Sequence, residues 1–468
     1  MRCAAAAAGG TAVARFGARE TTGFRLKTMG RHLRRAVRTL LTLALAACLI
    51  VPFDPVRTAA SLADGSLAWL DARADDGDGG DGGDGDGGGA AGGDGGAGHQ
   101  RDAVTADGAA FNEVVALGLR PRDLAALRAR GYTVLDQRSN AQLGGTVTRL
   151  AMPLLTTFSG AAQEIAALNP AAIVDRNHLY RPSGGDGCAG GCAALELVGW
   201  PRHGERSSCT RSVTLGMIDT GVDRTHPALR GQPVETVEVR GAGRAPSDPR
   251  HGTAVAALLI GARGSSAPGL LPGTRLLAVD AFHRSRLGLQ RMDAFDLVAA
   301  LDTLSRRGVR VINLSFAGAD NRLLAESVRR AAARRVILVA AVGNDGPTAT
   351  PRFPAAYAEV IAVTAVGAGG EAYRQAGRGP HVELAAPGVD VLVADARDPA
   401  NRRALSGTSY AAPYVTAAAG VLAARSPSSV QAVRARLLAT ASDLGAAGVD
   451  PVFGHGLLQA GPLCSVRR

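Results

Sequence analysis

Three short stretches of the sequence place polar side chains where apolar or small residues otherwise prevail. Met217-Ile218-Asp219-Thr220-Gly221-Val222-Asp223 ends an apolar run on a carboxylate. His251-Gly252-Thr253-Ala254-Val255-Ala256 puts a histidine at the start of a small-residue helix. Leu405-Ser406-Gly407-Thr408-Ser409-Tyr410-Ala411-Ala412-Pro413 puts a serine where a helix opens. Serine, histidine and aspartate are the parts of a nucleophile, a general base and an orienting carboxylate. A serine at a helix start has its own N–H and the positive end of the helix dipole beside it, both available to a developing oxyanion. Taken singly, an aspartate at a strand end is a turn former and a serine at a helix start is a cap. The three together point to acyl transfer.

Such residues need a scaffold, and from Ser212 onward strands alternate with helices. Val213–Ile218, Arg275–Val279, Val309–Leu314, Val336–Ala341 and Val360–Ala365 read as short, almost continuously apolar strands. Ala294–Leu304, Leu323–Arg334, Ser409–Ala424 and Ser429–Thr440 read as helices. That alternation predicts an α/β fold, a parallel sheet with helices on both faces. Open α/β sheets carry functional groups at the C-terminal ends of their strands, where Asp219 falls. An earlier segment, residues 111–180, reads β-α-β-β-α-β. Its strands are Glu113–Leu117, Tyr132–Leu135, Thr146–Met152 and Ala172–Val174, and its helices Pro121–Arg130 and Ser159–Leu168. This predicts a small ferredoxin-like α+β domain ahead of the larger one.

The Asp, His, Ser order, joined by Ala340-Ala341-Val342-Gly343-Asn344-Asp345-Gly346-Pro347, resembles the signature blocks of the subtilisin-like serine proteases. The resemblance runs from about Ser212 to Pro462 and implies a subtilisin-like sheet. It implies that Ser409 is the nucleophile, His251 its base and Asp219 the residue that orients the imidazole. It implies that Asn344 completes an oxyanion hole with the Ser409 N–H. Leu314-Ser315-Phe316-Ala317-Gly318 resembles the family's substrate-pairing strand. Phe353-Pro354-Ala355-Ala356-Tyr357 resembles the floor of its specificity pocket, with the small Ala355 favouring an apolar side chain. His226, in Thr225-His226-Pro227, is the nearest rival base. It matches a structural histidine of the family. The sequence departs from the family pattern at Ala254, Tyr410 and Tyr414 without removing a catalytic group, and Tyr410 replaces a methionine prone to oxidation. The implied reaction is hydrolysis of peptide bonds through an acyl-enzyme, by an exported serine endopeptidase. The alternative is a catalytically silent subtilisin-like protein that binds peptides by strand addition. No organic cofactor or catalytic metal is implied. Structural calcium occurs in the family, but no segment here assigns its ligands.

The remaining sequence divides around these two units. Residues 1–63 read as a leader and export signal, with Met29 an alternative start. Arg31, Arg34, Arg35 and Arg38 precede the apolar Leu40–Phe53, which predicts an exported protein, periplasmic or secreted. Leu45-Ala46-Ala47-Cys48 resembles a lipobox, which would make the protein a lipoprotein through lipid on Cys48. Leader and lipid are the only membrane attachments the sequence suggests. Residues 64–104 form a linker whose core, 77–98, holds 14 Gly, 5 Asp and 3 Ala and can build no packed interior. Residues 105–182 are the ferredoxin-like domain, 183–211 a cysteine-containing connector and 212–462 the catalytic domain.

By its position before the subtilisin-like blocks, the 105–182 domain resembles the family's propeptide. The implied partners are a protein or peptide substrate and the chain's own propeptide, acting as an intramolecular inhibitor. Asn177–Pro182 is the stretch placed to enter the active site. Cys188, Cys192, Cys209 and Cys464 remain after the leader, allowing up to two disulfides in three connectivities. A zinc site is the rival reading, but Cys188 and Cys192 have no convincing histidine partner. The 468 residues are 46% hydrophobic and 20% charged, which excludes a wholly disordered chain. The net charge of +11 suggests nucleic acid at first sight. Only Lys27 among 52 basic residues is lysine, however, and no basic face carries interleaved aromatics, so no nucleic-acid partner is implied.

Overall fold

The computed structural model describes residues 104–105, 107–182, 185–186, 193–201, 209, 212–425 and 429–464. The expected leader, the Gly/Asp stretch, Cys48, Cys188 and Cys192 lie outside the described residues.

The N-terminal module consists of β1 (Ala109–Leu117), α1 (Pro121–Ala129), β2 (Thr133–Asn140), β3 (Gly145–Ala151), α2 (Phe158–Leu168) and β4 (Ile173–Pro182). Its four strands pair antiparallel in the order β2-β3-β1-β4. Pro121 starts α1 where no N–H is required, and Asp123 accepts the Arg120 N–H at 3.0 Å. Thr157 caps α2 through the Gly160 N–H. Strand alternation then divides the side chains between two faces. Val114, Ala116, Leu150 and Val174 pack with Leu124, Leu127, Ala161 and Ile165 of the two helices. Val115, Leu117 and Val147 pack the other way, onto Phe295, Val298 and Leu323 of the larger unit. A sheet buried on both sides makes the module an integral partner of that unit.

The larger unit begins with β5 (Gly185–Asp186), α3 (Ala193–Leu197), β6 (Leu215–Asp219), β7 (Val234–Glu238), β8 (Ala245–Pro246), α4 (Arg250–Ile260) and β9 (Leu276–Asp280). Next come β10 (His283–Arg284), β11 (Gln290–Asp293), α5 (Ala294–Arg306), β12 (Val311–Leu314), β13 (Phe316–Gly318), α6 (Arg322–Ala333) and β14 (Ile337–Ala341). It ends with β15 (Val360–Val366), β16 (Leu384–Pro387), β17 (Val391–Ala394), β18 (Arg402–Ser406), α7 (Thr408–Arg425) and α8 (Val430–Ala439). Seven strands form one parallel sheet, in the order β16-β15-β14-β12-β6-β9-β7. Leu215, Met217, Val311 and Val339 face α4 and α7, while Ile218, Ile312, Leu338 and Ala340 face α5 and α6. Helices cover both faces, which is why these strands are apolar throughout.

One strand runs further than the sequence pattern predicts, and one disulfide pairing is fixed. The sequence pattern ends β4 at Val174, but the strand runs to Pro182. Its outer half pairs with β11 and β13, strands more than a hundred residues away that no local pattern announces. Cys209 is bonded to Cys464 across 255 residues, so neither is free to ligate zinc. Among the described residues no helix is long and apolar enough to cross a membrane. No group of three or more His, Cys, Asp or Glu there is arranged to hold a metal ion.

Candidate active site

Asp219 is the last residue of β6, His251 the second of α4 and Ser409 the second of α7. The fold brings the three to the C-terminal edge of the sheet. His251 Nδ1 lies 2.6 Å from Asp219 Oδ1, which also accepts the Thr220 N–H at 2.7 Å. Asp219 is only 1% exposed, so its carboxylate is shielded from water and holds the imidazole in one orientation. With Nδ1 committed to Asp219, Nε2 is the nitrogen left for proton transfer. It has no hydrogen-bond partner among the described residues. Ser409 Oγ donates to the Ser315 carbonyl at 2.8 Å, so the hydroxyl rests away from the imidazole.

Helix α4 approaches the β6 loop closely because residue 252 is glycine. A Cβ there would stand 2.3 Å from the Thr220 carbonyl oxygen. The Gly252 N–H instead donates to Thr220 Oγ1 at 2.9 Å. A second clamp was not foreseen from sequence. The Gly221 N–H donates to Ser247 Oγ at 2.7 Å, and Ser247 Oγ donates to the Asp280 carboxylate at 3.0 Å. Asp280 pairs in register with Asp219 on the neighbouring strand, and burial pushes its carboxyl up to about 6. The available signal was that Asp280 ends Leu276–Val279 as Asp219 ends its own apolar run. The Tyr410 ring packs beside His251 with centroids 5.7 Å apart.

The serine's position follows from a proline. Pro413 has no N–H to offer the Ser409 carbonyl four residues earlier. Ser315 Oγ donates to that carbonyl instead, at 2.9 Å. Asn313 Nδ2 donates to Ser315 Oγ at 2.8 Å, and Thr416 Oγ1 donates to Asn313 Oδ1 at 2.9 Å. Sheet and helix are thus tied together directly beneath Ser409. Asn344 Oδ1 accepts the Thr408 N–H at 3.1 Å and Thr408 Oγ1 at 2.9 Å, which leaves the amide NH2 group unspent by those contacts. His226 lies elsewhere, its ring nitrogens engaged with the Asp395 carbonyl and the Ala228 N–H.

Residues 210–456 match the sequence model of the subtilase family, more than half of the chain. The chain belongs to that family. It is 34% identical over 247 residues to the thermophilic serine proteinase of Bacillus sp. (strain AK1), covering 52% of this chain and 59% of that protein. It is 31% identical to subtilisin DY of Bacillus licheniformis, covering 50% of this chain and 85% of that protein. The first of these relatives is therefore spanned for less than two thirds of its length. The crystal structure of fervidolysin from Fervidobacterium pennivorans shares the fold, with a TM-score of 0.63 at 22% identity over 75% of this chain and 60% of that one. That share of this chain exceeds the family-matched span.

In this subtilase the edge expected to pair with substrate is occupied by the chain itself. Phe316, Ala317 and Gly318 pair antiparallel with Pro182, Arg181 and Tyr180. On the opposite edge of β4, Met292 and Asp293 of β11 pair with Tyr180 and Leu179. Tyr180 is fully buried with its ring edge-on to Phe316, in the core cluster that also holds Phe282. Gly318 makes room for it, since a Cβ there would stand 2.2 Å from the tyrosine ring. Past Pro182, Gly185 and Asp186 pair with Ser406 and Leu405, just ahead of Ser409. Leu314 and Ala355 are buried in the same core cluster as Phe316 and Tyr180. Charges line the seam nearby. Asp293 meets Arg149, Arg244 and Asn177. Burial works to raise its carboxyl, but Arg244 and Arg149 prevail and hold it below the ordinary range. Burial and the neighbouring Asp293 push Asp296 the other way, up to about 7.

Proposed function

We propose that the chain is an exported serine endopeptidase that hydrolyses peptide bonds through an acyl-enzyme on Ser409. The Asp219–His251 hydrogen bond beside the opening of α7 is the observation that carries this reading. Ser409 Oγ turns from the Ser315 carbonyl to His251 Nε2, gives up its proton there and attacks the scissile carbonyl. Asp219 steadies the imidazolium that forms. The Asn344 amide and the Ser409 N–H receive the oxyanion. His251 then protonates the leaving amine, and water releases the acyl group by the same route. Protein substrates follow from subtilase membership, and export from the sequence pattern of residues 29–63.

The module over 105–182 is, in the same reading, a ferredoxin-like propeptide that inhibits in place. The pairing of Leu179–Tyr180 with β11 and of Tyr180–Pro182 with β13 supports it, because a strand lying there denies that edge to any other peptide. A fluorophosphonate probe tests the catalytic reading. The processed chain should be labelled and the Ser409→Ala variant should not. Absence of label on the processed wild type would leave the peptide-binding alternative standing.

A further inference from the structure

Resting on the endopeptidase reading, we propose that Asp345 selects substrates with a cationic side chain at the position opposite Ala317. Strand pairing is blind to sequence, because every peptide offers the same N–H and C=O groups, so discrimination must come from side chains. In the occupied groove they alternate. Tyr180 turns inward and is wholly buried, while Arg181, paired with Ala317, turns outward and keeps 59% of its side chain exposed. Its guanidinium nonetheless meets Asp345 Oδ1. Asp345 directly follows Asn344, whose side chain Thr408 holds in place.

On its other side the carboxylate forms an ion pair with Arg352, whose Nε lies 2.7 Å from Oδ2. Each oxygen therefore faces a different guanidinium, and the acceptor for a substrate cation is set before substrate arrives. A substrate carboxylate at the same place would confront Asp345 at close range, whereas a neutral residue would only forgo the pair. Arg352 neutralises part of the Asp345 charge, and the site is open to water. The discrimination is consequently modest and sensitive to salt.

Three fluorescence-quenched octapeptides test this, each carrying the chain's own sequence from Leu179 to Asp186 with Arg, Ala or Glu at the Arg181 position. With the purified, processed protein, kcat/KM should fall about threefold from the Arg to the Ala peptide and about tenfold to the Glu peptide. The Arg-to-Glu ratio should shrink at high salt. Asp345→Lys should reverse the order. Asp345→Asn, which keeps the shape, should bring the ratio near one and is the deciding variant if the lysine variant does not fold. Equal cleavage of all three peptides by the wild type overturns the proposal, as does an order that Asp345→Asn leaves unchanged. Both outcomes leave the endopeptidase reading intact. If the probe fails to label Ser409 and no peptide is cleaved, the endopeptidase reading fails and the specificity falls with it.

Discussion

At the scale of single residues, the site depends on how each polar atom is held. Thr408 occupies the Asn344 oxygen from two directions, so the asparagine presents its amide without choosing between orientations. Asn344→Ala should therefore lower kcat about 100- to 1000-fold with little change in KM, the loss expected of one oxyanion donor. Steady-state kinetics on a peptide ester would show it, and a loss below tenfold would remove Asn344 from the oxyanion hole. Asn344, Asp219, His251 and Ser409 stand out in the sequence because each interrupts small or apolar surroundings. The resting hydrogen bond of Ser409 to the Ser315 carbonyl does not, because a hydroxyl's rotamer depends on groups brought near by folding.

At the scale of elements, β6 and β9 end side by side on two aspartates with different tasks. Asp219 orients His251, and Asp280 holds Ser247 and through it the Gly221 loop. Burial raises the Asp280 carboxyl to about 6 against about 4 in an unfolded chain. A group raised on folding contributes fully below its unfolded value, and that contribution is lost as pH climbs through its folded value. Stability should thus decline between about pH 4 and pH 6 by up to about 3 kcal/mol on this group's account. Asp280→Asn should flatten that stretch of the pH–stability curve in denaturant titrations. An unchanged slope would mean that Arg240 and Ser247 fully offset the burial of this carboxyl. The apolar run before Asp280 is plain in the sequence, but its register beside Asp219 requires the sheet.

At the scale of the whole molecule, the described structure is held by long-range ties. The Cys209–Cys464 bond closes a loop of 255 residues. On chain-entropy grounds, Cys209→Ser should cost about 5 kcal/mol, read as a lower denaturation midpoint, while an unmoved midpoint would mean the ends are held by packing alone. The module is tied through Tyr180 as well. Tyr180→Ala removes a fully buried ring worth about 3 kcal/mol or more, and should raise fluorophosphonate labelling of the uncleaved chain more than tenfold. Unchanged labelling would show that the groove is not what limits the probe.

Read along the chain, the residues establish that a parallel α/β sheet forms and which short stretches interrupt its apolar and small-residue patterns. Hydrophobic periodicity and side-chain chemistry are local, and both are legible without a structure. Ahead of that sheet the residues carry a β-α-β-β-α-β pattern whose fourth strand ends, by local pattern, at Val174. Only folding in three dimensions carries this strand on to Pro182, seats Tyr180 in a pocket beside Phe316 and brings Arg181 to Asp345. Folding likewise chooses Cys464 as the partner of Cys209. Each of these is a contact between distant parts of the chain. Its partners are chosen by packing and strand pairing across the molecule, and they leave no periodic trace in the residues on either side.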